Sequence, residues 1–158
     1  RMPARFDPDA IGFLITDVSR LLRAEFDRRT ANAGLGLTPG DARTLVNAAR
    51  AGKVRQTVLA ERMGVEAMTL SAYLDRLEAR DLIRREPDPT DRRAKLVEVT
   101  GIAQPVLEQI SSISADLRAD ISASLAPRQL EEIRDGLKTM RKTLVSMRPE
   151  CGKGSSNT

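Results

Sequence analysis

Residues 55–77 are RQTVLAERMGVEAMTLSAYLDRL, and this stretch decides the fold of the chain. The pattern predicts two short helices, at about 55–63 and 66–80, joined by a Gly-Val-Glu turn too short to let them lie parallel. Ala60 provides a small side chain where two steeply crossing helices would meet, and Gly64 tolerates the positive φ of a tight turn. Aliphatic side chains would then face inward and hold the second helix: Leu59, Val65, Leu70 and Leu74.

This spacing is that of a helix-turn-helix, in which the N-terminal half of the second helix enters the major groove of DNA. An ordinary corner between two helices of a bundle is the alternative that these residues leave open. Thr69, Ser71 and Tyr73 could donate hydrogen bonds to phosphates or bases, and Ala67 and Met68 could touch thymine methyl groups. Thr69 and Tyr73 are the main candidates for the major groove.

A β-hairpin is predicted directly after the second helix, at about residues 82–100. The segment Leu82–Arg85 resembles a short strand, the turn formers at 87–91 indicate a loop, and alternating aliphatic residues follow at Leu96, Val97 and Val99. The position of the hairpin is that of a wing beside a recognition helix.

The tip of this hairpin carries Asp91, Arg92 and Arg93. An arginine there could enter the adjacent minor groove, since narrow A·T-rich grooves concentrate negative potential. Asp91 could hold the guanidinium of Arg93. A solvated charged loop is the alternative, and the preceding helix-turn-helix favours the wing.

Charge and composition limit the possible functions. Residues 43–95 carry 12 Lys and Arg against 8 Asp and Glu, which accounts for the whole net charge of +4 and indicates a polyanionic partner. The chain has no His and a single Cys, Cys151. This composition argues against a zinc site and against an enzyme active site, and it fits a cytoplasmic protein. The sequence predicts no cofactor, no metal, no signal peptide and no membrane segment.

The segment LTPGD at residues 37–41 predicts the start of another helix. Thr38 would cap it and Pro39 would take its first position. The apolar residues expected on its buried face are Ala42, Leu45, Val46 and Ala49.

Helical regions flank the central segment. Residues 7–33 predict an N-terminal amphipathic helix, with Asp7 as its cap and Pro8 in its first turn, and residues 101–148 predict C-terminal helices ending before a disordered tail at 149–158. Their apolar stripes exceed what the central lobe needs and indicate a two-fold dimer, although packing within one chain is the alternative. The residues expected at that interface are Ile11, Leu14, Ile113, Leu117, Leu130, Ile133, Leu137, Met140 and Leu144.

Taken together, these motifs resemble the MarR family of winged helix-turn-helix regulators over nearly the whole chain. The wing signature of that family, Asp-x-Arg followed by five residues and Leu-Thr, corresponds here to Asp91-Arg92-Arg93-AKLVE-Val99-Thr100. The segments LAERMGV and LDRLEARDLIRR also match the family. The resemblance implies a mainly α fold with a small β-hairpin wing: a DNA-binding lobe at 38–100, and a dimerisation region formed by the terminal helices.

The chain departs from the family pattern at four positions. Ala72 stands where an arginine is common in the recognition helix, and Glu66 replaces the usual Ser cap, so the base contacts are not transferable. Asp81 replaces the Gly that usually ends this helix, and Asp tolerates the left-handed conformation better than most residues. Ala103 replaces a Gly after the wing.

The resemblance implies a homodimeric bacterial transcription regulator, most simply a repressor released by a small aromatic or phenolic effector. Phosphate contacts are expected from Arg55, Arg62, Thr69, Ser71 and Lys95, and a minor-groove contact from Arg93. Arg20 and Arg23 are the candidates to neutralise an acidic effector. The alternative function is a winged-helix protein–protein adaptor that has lost DNA binding.

Overall fold

The computed structural model describes residues 5–149 of the chain. Its helices and strands, in chain order, are α1 (Ile11–Asn32), α2 (Pro39–Ala51), β1 (Val54–Arg55), α3 (Gln56–Met63), α4 (Ala67–Ala79), β2 (Ile83–Pro87), β3 (Lys95–Val99), α5 (Gln104–Ser122) and α6 (Pro127–Ser146), with a 3₁₀ turn at Gly101–Ala103 before α5. The predicted fold class, mainly α with a small β-hairpin wing, is confirmed.

The turn between α3 and α4 has the predicted geometry. Gly64 ends α3 in the left-handed conformation, at φ 64°, and the N–H of Val65 donates to the carbonyl oxygen of Ala60 at 3.1 Å. This conformation reverses the chain within a few residues, and glycine adopts it without steric cost. Because Leu59, Leu70 and Leu74 are fully buried, the inward face expected of a helix-turn-helix is present.

Helix α2 begins as predicted, whereas α1 begins later. The hydroxyl of Thr38 accepts from the N–H of Asp41 at 3.1 Å, and Pro39 occupies the first turn of α2. The expected Asp7 cap and Pro8 first turn of α1 are wrong. The carboxylate of Asp7 accepts from the N–H of Asp9 at 2.9 Å in a separate turn that precedes the helix.

One core joins α2, α3, α4, the strands and the start of α5. Its buried apolar side chains are Ala42, Leu45, Ala48, Val54, Leu59, Ala60, Leu70, Leu74, Leu77, Leu82, Ile83, Val97, Ala103 and Ile110. In α2 the expected buried residue Ala49 is exposed and Ala48 is buried instead. The contact between α2 and α4, which no periodicity rule specifies, determines that face.

The wing is an antiparallel hairpin that forms part of a three-stranded sheet with the order β1-β3-β2. The pairing of β2 with β3 runs from Ile83 opposite Val99 to Pro87 opposite Lys95. The two-residue strand β1 pairs Val54 with Val97. It is too short to give a sequence signal, and it connects the wing to the segment that precedes α3.

The link from α4 into the wing depends on Asp81, which lies in the left-handed region at φ 57°. Its N–H donates to the carbonyl oxygen of Glu78 at 2.9 Å, and its own carbonyl oxygen accepts from the hydroxyl of Thr100. The expectation that Asp81 takes the conformation usually given to glycine is confirmed. The hydroxyl of Thr100 thereby ties the end of the wing to the end of α4.

The chain divides into two compact units, the first ending at Leu117 and the second beginning at Arg118. The second unit contains the end of α5 and all of α6, where the side chain of Gln129 accepts from the N–H of Ala126 at 2.9 Å. No residue of α6 is buried in the described chain. Residues 150–158, which include Cys151 and nearly all of the predicted tail, lie outside the described residues.

Apolar side chains on the terminal helices are exposed in the single chain. On α1, Ile11 is 64 % and Leu14 is 44 % exposed, and on α6, Leu137 is 47 % and Leu144 is 61 % exposed. The other residues expected at a dimer interface range from half-buried to exposed: Ile113, Leu117, Leu130, Ile133 and Met140. Among residues 5–149, no single helix is both long enough and apolar enough to cross a bilayer.

Gly40, in the first turn of α2, lies against the ring of Tyr73 from α4. A Cβ atom at Gly40 would stand 2.5 Å from Cε1 and 2.6 Å from Cζ of that ring. Such a distance is far inside van der Waals contact, so the absence of a side chain at Gly40 is a condition for this packing of α4 on α2.

We expect Gly40→Ala to lower the free energy of unfolding by about 1–3 kcal/mol, because the added methyl group must displace the tyrosine ring. Chemical denaturation at a fixed protein concentration measures the change. Gly12→Ala is the matched control, since a Cβ there meets nothing within 4 Å. In a Tyr73→Ala background the Gly40→Ala change should cost little, and an equal cost in both backgrounds would contradict the steric explanation.

Candidate nucleic-acid interface

The first two turns of α4 present an exposed face of small and apolar side chains. Met68 is 86 % exposed, Ala67, Thr69 and Ala72 are also exposed, and Ser71 is half-buried. No side-chain hydrogen bond caps this helix at Glu66. Backbone N–H groups at such a helix start suit a phosphate oxygen, because they combine free donors with the positive end of the helix dipole.

Tyr73 does not belong to this exposed face, contrary to the sequence-based expectation. Its half-buried ring lies on Gly40, and the guanidinium carbon of Arg76 is 5.5 Å from the ring centroid. The ring therefore packs α4 against α2. Its spacing along the helix was compatible with a groove contact, but the glycine that receives it lies 33 residues earlier in the chain.

Arg76 fastens α4 to the start of α2. Its Nε donates to both carboxylate oxygens of Asp41 at 3.1 Å, and its Nη2 lies 2.9 Å from Oδ1. Asp41 is 3 % exposed, and its hydrogen bonds raise the pKa of the Arg76 guanidinium. A buried carboxylate must be paired, so this contact fixes the position of the recognition helix on α2.

The opposite side of α4 is fastened to the wing through Arg85 of β2. The Arg85 guanidinium contacts Asp75 at 2.5 Å and Glu78 at 3.1 Å, and its side chain is 17 % exposed. The hydrogen bond from Arg85 lowers the pKa of Glu78. Helix α4 is thus held from two sides, and its N-terminal face is left open.

At the wing tip, Asp91 binds Arg93 as predicted. Its Oδ1 accepts from the backbone N–H of Arg93 at 3.1 Å and from its Nε at 3.4 Å. The Arg93 side chain is nevertheless 94 % exposed, and Arg92 and Lys95 are exposed beside it. Asp91 therefore orients the arginine at the tip while leaving its guanidinium accessible.

At the wing base, Arg55 clamps the buried carboxylate of Asp88. Its Nε donates to Oδ2 of Asp88 at 2.7 Å, and its Nη2 donates to the hydroxyl of Thr90 at 3.3 Å. Asp88 is 6 % exposed, and its Oδ1 accepts from both the N–H and the hydroxyl of Thr90. Arg55, expected from the sequence to contact a phosphate, is engaged in holding the wing loop against the strand before α3.

The wing tip and the start of α4 meet at a shared crevice of about 200 Å³. It is lined by Gln56, Thr57, Ala60, Ala67, Leu70, Arg93, Ala94 and Lys95. Three of the predicted DNA contacts, Ala67, Arg93 and Lys95, are thereby brought together. Arg62 is exposed near the end of α3 and does not line the crevice.

Gln56 and Thr57, at the start of α3, are polar residues of this crevice that were not predicted from the sequence. These two residues begin α3 and line the crevice, so the first N–H groups of this helix lie beside it. No side-chain hydrogen bond caps α3 at Arg55. The sequence could have indicated Gln56 and Thr57, because they directly follow Arg55 and begin the first helix of the helix-turn-helix.

A second cavity, of about 280 Å³, lies where the end of α1 faces α5. Its lining residues are Arg28, Arg29, Asn32, Ala33, Ile113 and Asp116. Arg20 and Arg23, the expected effector ligands, are exposed on α1 and do not line it, and Arg20 lies 3.7 Å from Asp17. Arg28 and Arg29, which follow them on α1, line the cavity instead.

The arginines of this second cavity are already paired with an acid. Glu25 accepts from Nη2 of Arg28 at 2.6 Å and from Nε of Arg29 at 2.9 Å. These bonds lower the pKa of Glu25 to about 2. An acidic molecule entering the cavity would therefore compete with the Glu25 carboxylate. Across residues 5–149, no group of three or more His, Cys, Asp or Glu side chains is placed to hold a metal ion.

We expect Asp88→Asn to loosen the wing loop, because it removes the charge that the Arg55 guanidinium binds. Amide hydrogen exchange at residues 88–94 should accelerate at neutral pH, while exchange in α2 stays unchanged. Asp9→Asn is the control, since it makes the same change at an exposed position before α1. Exchange in the wing that matches the unaltered protein would contradict the clamp.

The pH dependence of the clamp has a defined sign. Hydrogen bonds from the N–H and hydroxyl of Thr90, and then from Arg55, lower the pKa of Asp88 below its usual range. The stabilisation is therefore complete above the usual carboxyl pKa of about 3.9 and is lost as the pH falls through the lowered value.

Comparison with known proteins agrees with this geometry. Residues 35–94, which run from before α2 into the wing loop, match the model of the MarR family. This segment contains the helix-turn-helix, Asp41, Arg76 and the wing tip through Arg93.

Solved structures extend the likeness to the rest of the fold. The crystal structure of MarR superposes with a TM-score of 0.76 at 24 % identity, covering 94 % of this chain and 100 % of its own. A MarR-family transcriptional regulator from Rhodococcus sp. RHA1 gives 0.72 at 24 % identity, covering 87 % and 96 %. The transcriptional regulator PA3341 gives 0.70 at 29 % identity, covering 87 % and 99 %. Residues 35–94 therefore belong to the MarR family, and the chain has the winged-helix fold of MarR-family transcriptional regulators.

Proposed function

We propose that the protein is a homodimeric, sequence-specific DNA-binding transcriptional regulator. The observation that carries this proposal is the crevice that brings the exposed start of α4 together with Arg93 and Lys95 of the wing. A recognition helix and a wing that share one surface can contact the major groove and the neighbouring minor groove at the same time. The family match over residues 35–94 supports the same assignment.

The charges of this surface support binding to phosphates. Arg92, Arg93 and Lys95 are exposed at the wing, and Arg62 is exposed on α3. Thr69 is exposed on α4 and can donate its hydroxyl hydrogen to a phosphate oxygen. Each cation that neutralises a phosphate releases a condensed counterion, so binding should weaken steeply as salt is raised.

The exposed apolar faces of α1 and α6 support the homodimer. Large exposed apolar surfaces of this kind indicate an interface, and a second copy of the chain offers the same surface in return. A two-fold dimer would present two recognition helices about one DNA turn apart and would bind a pseudo-palindrome. Bound across a promoter, such a dimer would act as a repressor.

The effector part of the proposal rests on the cavity that Arg28, Arg29 and Ile113 line. Two guanidinium groups beside an aliphatic side chain suit a small aromatic or phenolic acid, which would displace the Glu25 carboxylate from the arginines. Such an effector would release DNA only if it bound more tightly to a dimer whose recognition helices are wrongly spaced for the operator.

We expect Arg93→Ala to weaken operator binding roughly tenfold or more, because it removes the exposed guanidinium that Asp91 orients. Affinity selection of sheared genomic DNA with the purified protein first identifies the operator, and fluorescence anisotropy then measures its affinity at several salt concentrations. Arg128→Ala is the control: its side chain is 89 % exposed, close to the 94 % of Arg93, and lies on α6. No salt-dependent binding to any duplex, with the protein folded, would instead favour a protein–protein adaptor.

We expect Leu137→Asp to dissociate the dimer or to unfold α6, because it places a charge in the middle of the apolar face. Sedimentation equilibrium gives the mass and circular dichroism gives the helix content. Lys142→Asp introduces the same residue on the other side of α6 and should leave the dimer intact. A Leu137→Asp protein that stays a folded dimer at micromolar concentration would refute this interface.

A further inference from the structure

The exposed face of α4 lacks the side chains that usually identify purines. Between Ala67 and Ala79 the sequence holds one cation, Arg76, and neither Asn nor Gln. Arg76 is bound to the buried carboxylate of Asp41. The bidentate pairs by which proteins most often recognise guanine or adenine are therefore not available from this helix.

The side chains that α4 does expose match a different feature of the major groove. Thymine presents its C5-methyl group there, and Ala, Met and the methyl of Thr make apolar contacts with it. Met68 stands out because its thioether chain is 86 % exposed and contacts none of the core. Ala67, Thr69 and Ala72 flank it at the exposed start of the helix.

We propose that the chain distinguishes its operator half-sites by thymine methyl groups, which Met68, Ala67, Thr69 and Ala72 contact in the major groove. This inference rests on the proposed DNA binding and adds the chemistry of the bases that are recognised. The wing contributes independently, because the C5-methyl group lies in the major groove whereas Arg93 would enter the minor groove. Glu66 offers the competing chemistry, since its carboxylate could accept from a cytosine amino group.

Replacing thymine by deoxyuridine tests the proposal directly. Deoxyuridine lacks only the C5-methyl group and keeps the same hydrogen-bonding edge. Two duplexes of the selected operator are compared, one with thymine and one with deoxyuridine throughout both half-sites. We expect the unaltered protein to bind the deoxyuridine operator about tenfold or more weakly, because several apolar contacts are lost. Equal affinity for the two duplexes would overturn the proposal.

Two variants separate methyl contacts from effects on DNA shape. Met68→Ala should weaken binding to the thymine operator and change binding to the deoxyuridine operator little. Arg93→Ala should weaken binding to both duplexes by the same factor. If Met68→Ala leaves the thymine-to-deoxyuridine ratio unchanged, the ratio reports DNA shape and the proposal fails. Because Met68 is exposed, its truncation should leave the fold intact, which circular dichroism verifies.

The failure of this proposal is distinguishable from the failure of DNA binding itself. If the unaltered protein binds no duplex in low salt, the proposed function fails, and the inference fails with it. If the protein binds thymine and deoxyuridine operators equally and in a salt-dependent way, the regulator stands and only the methyl contacts are excluded.

Discussion

The ion pair between Asp41 and Arg76 is the contact on which the rest of the DNA-binding lobe depends. A carboxylate that is 3 % exposed must be compensated, and the compensating guanidinium belongs to the recognition helix. Hydrophobic burial of Leu70 and Leu74 determines which face of α4 turns inward but tolerates small rotations of the helix, because apolar contacts are not directional. The geometry of the bidentate pair selects one of these rotations and thereby sets the direction in which the exposed residues of α4 point.

A second buried carboxylate, Asp88, positions the wing loop by binding Arg55, as Asp41 positions α4 by binding Arg76. Both acids bind an arginine from another element, and both arginines are thereby partly withdrawn from the surface. Arg85 is likewise bound to Asp75 and Glu78. The positive charge of residues 43–95 is therefore used in two ways: part of it positions α4 and the wing, and the exposed part at the wing tip remains for an anionic partner.

The features that could be predicted from the sequence are those with a local cause. The Thr38 cap, the left-handed Gly64, the left-handed Asp81 and the hairpin each depend on a few consecutive residues and backbone sterics. The pairing of Asp91 with Arg93 is also local, since the two residues are separated by one position. The resemblance to the MarR family added the arrangement of these parts.

The features that could not be predicted depend on contacts across the fold. Tyr73 was expected at DNA because its helix position allowed it, but Gly40 accepts its ring. Arg55 was expected at a phosphate, but Asp88 lies 33 residues later and binds it. Helical periodicity gives the spacing of apolar residues without the rotation of the helix, which is why Ala48 and not Ala49 is buried in α2.

The contact between Gly40 and Tyr73 has a consequence for how this protein can evolve. A side chain at position 40 fits the present packing only if residue 73 is smaller or its ring is displaced, so substitutions at the two positions have coupled effects on stability. Met68 and Ala72 lie on the exposed face and make no comparable contact within the chain. Substitutions there leave folding almost untouched, so in descendants of this gene the preference for a DNA sequence can drift while the stability of the fold is conserved.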